Sequence, residues 1–359
     1  MGLKSVMLKA LLCVVCCYIS QWVSTSSNAM QFFTSNPTIV FTFAGQSSRG
    51  RKLIRVPGSD PVEQLIYNGT EPISGSVEVA APPGKKIEHQ GIKVELIGQI
   101  EMINDRLATP TKFTQNVKPI DNAGQLVGTK NFPFEFNMER PFETYSGMNV
   151  RLRYFLKVTV SRKYNNFSRE VDFAVETPQK GNSEESLQHS HSHLVQNTAM
   201  TNPIKMEVGI EECLHIEFEY DRDRYHLQDV ILGKIYFLLV RIKIKHMELA
   251  VIRRESAGLG ANSTYTDSEN ITKYELMDGA PIKGECVPIR LFLEPLALTP
   301  TYRSVRNIFS VKYYLNLVLV DEEDRRYFKQ NEITFWRQSR DTEPSATSGK
   351  GNVEESVNL

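Results

Sequence analysis

Few of the residues able to do chemistry are spaced to do it. His189, His191 and His193 alternate with serines, and imidazoles at that spacing on a pliable segment can capture a divalent cation. No carboxylate or cysteine is interleaved to complete a shell, so a solvated polar linker is the simpler reading. His89, His215, His226 and His246 are scattered among strand-like segments and read as packed or surface residues, not general bases. Asp321-Glu322-Glu323-Asp324-Arg325-Arg326 packs four acids against two arginines; paired carboxylates serve proton transfer or calcium, but here they neutralise their neighbours, as in a solvated hairpin turn. There is no Gly-x-Ser-x-Gly elbow, no Gly-x-x-x-x-Gly-Lys phosphate loop and no His-Glu-x-x-His pair. Cys13 and Cys16 match Cys-x-x-Cys only inside an apolar run. The sequence therefore predicts no enzyme, no cofactor and no resident metal.

The elements around these residues read as strands. Val150, Leu152, Tyr154, Leu156, Val158 and Val160 point one way while Arg151, Arg153, Lys157 and Thr159 point the other, the period of two of a half-buried strand. Val311, Tyr313, Leu315, Leu317 and Leu319 repeat the pattern, and Ile235 to Leu249 alternates through Val240, Ile242 and Ile244 with Lys243 and Lys245 turned to solvent. Turn signals punctuate these short runs at Asn68-Gly69, Pro82-Pro83-Gly84, Ser146-Gly147, Asp278-Gly279 and Thr299-Pro300. With no comparable 3.6-residue period, the expectation is an all-β chain of two antiparallel sandwiches.

Composition agrees. At 359 residues the chain exceeds one average domain, and 41% hydrophobic with 23% charged residues is ordinary globular usage. Lys plus Arg and Asp plus Glu both number 42, which removes any global attraction to nucleic acid or anionic lipid and leaves only local patches such as Lys85-Lys86 and Arg241 to Lys245. Three of the five cysteines lie before residue 20, leaving Cys213 and Cys286 for the body. That is no disulfide framework, although spacing alone leaves one bridge between them open.

The expected organisation is an apolar N-terminal extension over 1–29, a first sandwich over 30–176, a polar linker over 177–203, a second sandwich over 204–337 and a disordered tail over 338–359. The run Val6 to Val23, with Lys4 before it and Ser24 to Ala29 after it, has the layout of a secretory signal. With the sequons at Asn68, Asn166, Asn262 and Asn270 it defines an alternative, a secreted or lumenal β-sandwich glycoprotein with a binding role.

One segment is not explained by solubility. Leu276 and Met277 stand immediately before Asp278-Gly279, where a sandwich loop tip should be polar. They are either a protein-binding anchor or a piece of core.

Gly84 to Lys93, Val150 to Leu156, Ile204 to Tyr220, Gly233 to Met247 and Val311 to Gln330 closely resemble the vacuolar protein sorting twenty-six family, the arrestin-like subunit of the retromer coat. The resemblance covers roughly Thr70 to Arg337. It implies two arrestin-like, immunoglobulin-like sandwiches joined by a hinge and no enzymatic activity. It further implies a cytoplasmic protein, peripheral on endosomal membranes, that helps return cargo to the Golgi or plasma membrane. It implies that Leu276, Met277, Asp278 and Gly279 dock on the α-solenoid subunit of retromer. It implies too that sorting nexins and cargo cytoplasmic tails meet Met206 and Val208, with Phe328 nearby, by adding a strand to an exposed edge. Members that couple to a PDZ-containing nexin carry an acid at the place of Asn68 and a Leu near Pro178, so that coupling is not implied. Met30-Gln31-Phe32-Phe33 looks like the family's start. Residues 1–29 would then come from an upstream start codon or form a leader particular to this lineage.

Overall fold

The structure, a computed structural model, describes residues 36–104, 108–179, 203–258 and 265–338. Every regular element among them is a strand, and the strands gather into two compact units.

The first unit holds β1 (Thr38–Phe43), β2 (Arg51–Ile54), β3 (Val62–Asn68), β4 (Ile73–Ala80), β5 (Lys86–Met102), β6 (Thr111–Val127), β7 (Thr129–Phe136), β8 (Tyr145–Ser146), β9 (Val150–Ser161) and β10 (Phe167–Glu176). A small sheet runs β1-β4-β7, and a larger one runs β2-β3-β10-β9-β5-β6 with β8 added on β9. The connection from β4 to β5 is the Pro82-Pro83-Gly84 turn. Lys85 N–H donates to the Pro82 carbonyl at 3.0 Å, and Gly84 supplies the positive φ of 73° that the third turn position demands. A chain of rings ties the two sheets together: Phe134 to Phe43, Phe43 to Tyr67, Tyr67 to Phe173, Phe173 to Tyr154 and Tyr154 to Phe113, with centroids 5.5–6.2 Å apart. Each such pair adds about 0.5–1.5 kcal/mol beyond the area it buries.

The alternating set of β9 is fully buried, as expected. Phe155 and Thr159 on its other face are buried as well. The Arg153 guanidinium lies 4.0 Å from the Phe155 ring centroid and bonds Glu101 at 2.7 Å, Asp172 at 2.9 Å and Glu170 at 2.9 Å. This outward face is therefore a roof of ion pairs over an aromatic ring, not open solvent.

The second unit holds β11 (Ile204–Ile210), β12 (Leu214–Tyr220), β13 (Arg224–His226), β14 (Val230–Val240), β15 (Ile244–Ala257), β16 (Tyr265–Asp278), β17 (Cys286–Phe292), β18 (Tyr302–Val305), β19 (Phe309–Asp321) and β20 (Arg326–Trp336). One sheet runs β11-β12-β14-β17 and the other β13-β20-β19-β15-β16, with β18 on β19. Their inner faces bury Ile216, Phe218, Ile235 and Phe237 in the first sheet and Leu249, Val251, Leu315 and Leu317 in the second.

Three expectations change. One ladder in each unit runs parallel, β3 with β10 and β13 with β20. In both cases the long chain path between the strands leaves their relative direction free, whereas a tight turn would force them antiparallel. The strands are also longer than short sandwich segments, β5 and β6 reaching 17 residues each. Finally, Ile235 to Leu249 is two strands. The chain leaves β14 at Val240 and enters β15 at Ile244, changing sheets across Arg241 to Lys243, a span in which Val240, Ile242 and Ile244 still alternate with charged residues.

Candidate functional site

Leu276, Met277 and Asp278 are the last residues of β16, the outermost strand of its sheet, and do not form a loop tip as the sequence suggested. Gly279 follows at φ 111°, a conformation open to glycine, and its N–H donates to the Lys245 carbonyl at 2.7 Å, closing the strand onto the start of β15. In the register Met277 faces Met247 and Glu275 faces Glu248. Leu276 has no partner on β15: it is the extra residue of a β-bulge. A bulge re-aims side chains at a sheet edge. Here it leaves two consecutive apolar side chains half-buried, beside an exposed Tyr274, on a strand whose outer edge has no ladder partner among the described residues. The sequence offered an anchor or core. Both side chains are part-covered by the sheet and part-open at its rim.

Charge surrounds this rim. Lys243 reaches Glu322 at 3.6 Å and Lys245 reaches Asp324 at 2.9 Å, so the basic and acidic clusters of the sequence neutralise each other where the β14–β15 connection meets the β19–β20 turn. Asp321 organises that turn. Its carboxylate accepts from the backbone N–H of Glu323 at 3.0 Å and Arg325 at 2.9 Å, the Arg325 guanidinium at 2.6 Å and the Tyr327 hydroxyl at 2.9 Å. Burial works against its ionisation, but these four donors prevail and hold its pKa at about 2, below the ordinary 3.8. A carboxyl with a depressed folded pKa adds stability that is complete above pH 3.8 and lost as pH falls through about 2. Asp321→Asn should therefore lower the melting temperature at pH 7, with the gap to wild type closing between pH 4 and pH 2. Calorimetric scans across that range measure it, and a gap constant with pH would refute the assignment.

β11 is the outer strand of the four-stranded sheet, and its far edge has no ladder partner among the described residues. Met206 and Val208 are 1% and 6% exposed, so their side chains face the core, and at these two positions the strand offers only its backbone. Phe328, on β20, is 64% exposed, and β20 runs close beside β11. The three predicted residues thus lie on two neighbouring strands and differ in exposure: Met206 and Val208 are buried on the edge strand β11, and Phe328 projects an apolar ring from β20.

The family model of Vps26, vacuolar protein sorting-associated protein 26, matches residues 34–324. The chain belongs to the Vps26 family. It is 52% identical over 293 residues to vacuolar protein sorting-associated protein 26 of Drosophila melanogaster, an alignment covering 80% of this chain and 57% of the fly protein. It is 48% identical over 313 residues to the 26B protein of Danio rerio, covering 86% and 89% of the two chains. Against the 26B protein of Arabidopsis thaliana it is 50% identical over 304 residues, covering 84% and 95%. Membership of the Vps26 family supports a retromer subunit in vacuolar and endosomal protein sorting.

The remaining sequence candidates fall into place on this Vps26-family chain. Cys213 and Cys286 are free thiols, so the bridge left open by spacing is absent between them. His89 is wholly buried, and burial pushes its pKa down; His226 packs edge-on against Trp336 at 5.4 Å. The sequons at Asn68, Asn166 and Asn270 are exposed, while Asn262, the triplet of His189, His191 and His193, residues 1–29 and the tail from 339 lie outside the described residues. No helix among the described residues is long and apolar enough to cross a membrane.

Proposed function

We propose that this chain is a non-catalytic scaffold subunit of retromer that docks on the α-solenoid subunit through Leu276 and Met277, with Asp278 and Gly279 shaping the end of the strand. The observation that carries this is the bulged end of β16: two adjacent large apolar side chains stand part-exposed at a sheet rim, framed by charge that is already paired. Apolar anchors ringed by neutralised polar groups are the usual energetic centre of a protein interface, because little ionic desolvation opposes their burial. The division into a first sandwich over 30–176, a linker over 177–203 and a second sandwich over 204–337 serves this scaffold role. The work takes place on the cytosolic face of endosomal membranes, where the chain sits peripherally and assists retrieval of transmembrane cargo to the Golgi and plasma membrane.

A second surface belongs to the same reading. Sorting nexins and cargo tails add an extended segment to the open edge of β11, using its backbone N–H and C=O groups for affinity and the Phe328 ring for a side-chain contact. The buried Met206 and Val208 keep that edge straight instead of touching the guest.

The test is a pull-down of the solenoid subunit by purified wild type and by Leu276→Asp with Met277→Asn. Placing a charge and an amide at the centre of the anchor should weaken binding by at least about a hundredfold, in the range of interface hot spots. Both residues sit at a solvent-facing rim, so the melting temperature should move little. A double variant that still captures the partner at wild-type strength removes this docking assignment.

A further inference from the structure

We propose that Glu207, His215 and Glu217 form a zinc site on the outer face of the β11–β12 hairpin. The three are separated by up to ten residues in sequence, but the antiparallel register places Glu207 directly opposite Glu217 and sets His215 two residues along β12 on the same face. One ligand atom from each side chain lies within 4.8 Å of the other two, a spacing that a cation bonded to nitrogen and oxygen at about 2.0–2.2 Å can close with small rotamer changes. The residue facing His215 on β11 is Gly209, so on that side no side chain lies across from the imidazole and Glu207 approaches it along the diagonal, while Leu239 faces it from β14.

Two further features favour a cation at this position. Two carboxylates directly opposite each other on a sheet repel. Lys205 offsets only part of this: its ammonium lies 2.9 Å from Glu219 and 3.4 Å from Glu217, and no described ion pair reaches Glu207. The His215 side chain is 46% exposed, but its Nε2 atom is shielded from solvent without a hydrogen-bond partner, 3.7 Å from the Glu217 carboxylate. A cation between them would satisfy that nitrogen and both acids at once. One imidazole nitrogen with two carboxylate oxygens is a borderline donor set suited to zinc; calcium takes about six to eight oxygens, and both calcium and magnesium are hard cations that favour oxygen over an imidazole nitrogen. Three protein ligands leave a position for water. Zinc here would clip β11 to β12 between Met206 and Val208, independently of whether the docking reading above is correct.

The experiment uses the full chain carrying His189→Ala, His191→Ala and His193→Ala, so that the other histidine cluster cannot take up metal. Titration with zinc chloride in a calorimeter should show one equivalent bound and no competition from excess calcium or magnesium. Adding Glu207→Gln or His215→Ala should weaken uptake at least about tenfold, since loss of an inner ligand cannot matter less than loss of an outer one. Absence of heat in the triple-alanine chain, or uptake indifferent to Glu207→Gln and His215→Ala, overturns the proposal. Crystals soaked in zinc chloride supply a readout free of these variants: an anomalous peak at the zinc edge about 2.0–2.1 Å from His215 Nε2 is expected, and its absence also overturns the site.

Discussion

Arg140→Ala should destabilise the first unit by about 3–5 kcal/mol, the cost of removing one partner from a buried charge-assisted cluster. Arg140 is 1% exposed, and its guanidinium donates to the carbonyls of Met138 at 2.7 Å, Asn68 at 2.7 Å and Glu71. Its own N–H donates to the Gly69 carbonyl at 2.8 Å, so the β3–β4 turn is wrapped around one side chain. Burial alone drives the guanidinium toward lower pKa, but Glu71, itself bonded to Arg49 at 2.6 Å, stands close enough to favour its charge. Alanine removes the donors from these carbonyls and leaves a polar space of arginine size among them. Arg140→Lys should recover only part of the loss, because a single ammonium lacks the planar fork that spans separate acceptors. Urea unfolding of the three proteins measures this, as does a fall in melting temperature on the order of 10 °C for alanine. An alanine variant within about 1 kcal/mol of wild type would show that the turn is held by its own backbone instead.

The uneven legibility of this chain follows from what a linear pattern can carry. β9 and β19 were readable because each turns one uninterrupted face to a core, and a period of two survives in Val150 to Val160 and Val311 to Leu319 whatever the partner strands do. Leu276 and Met277 stand out in the sequence as large apolar residues before a turn, but their place on a strand does not. A bulge exists only relative to the opposite strand, and nothing in the local sequence says that Glu248 and Met247 face Glu275 and Met277 with Leu276 between them. The same blindness hides the break between β14 and β15, since Val240, Ile242 and Ile244 alternate with charged residues across the very span where the chain changes sheets. It also kept the acids of the β19–β20 turn apart from Lys243 and Lys245, which they meet only in the folded unit. Arg140 sits in the sequence as one charge beside Pro141, with no hint of burial. Glu207, His215 and Glu217 become a cluster only through hairpin register. The elements were visible locally; the site is made of pairings, and these are not.

Phe218→Ala, at about 3–5 kcal/mol, should be the comparable lesion in the second unit, and its consequences should be directional. Phe218 is fully buried on β12, with its ring 5.2 Å from that of Tyr220. Its register partners are Met206 on β11 and Ile235 on β14, both buried. Gly233 permits this packing: a Cβ there would fall 2.7 Å from the Phe218 ring and 2.6 Å from the Glu219 carbonyl. Truncation therefore opens a cavity under β11, and β11 is the strand with least to compensate, having a ladder on one side only among the described residues. Its amides should exchange with deuterium markedly faster in the variant, while those of β15 and β19, paired on both sides, should keep most of their protection. If β11 is the edge to which an extended tail adds, tail binding should weaken more than docking at Leu276 and Met277, because the guest would need a straight template that now frays. A variant that loses both interactions equally would show general unfolding. One that loses stability without faster exchange in β11 would mean that β20, running beside it, holds this edge as firmly as β12 does.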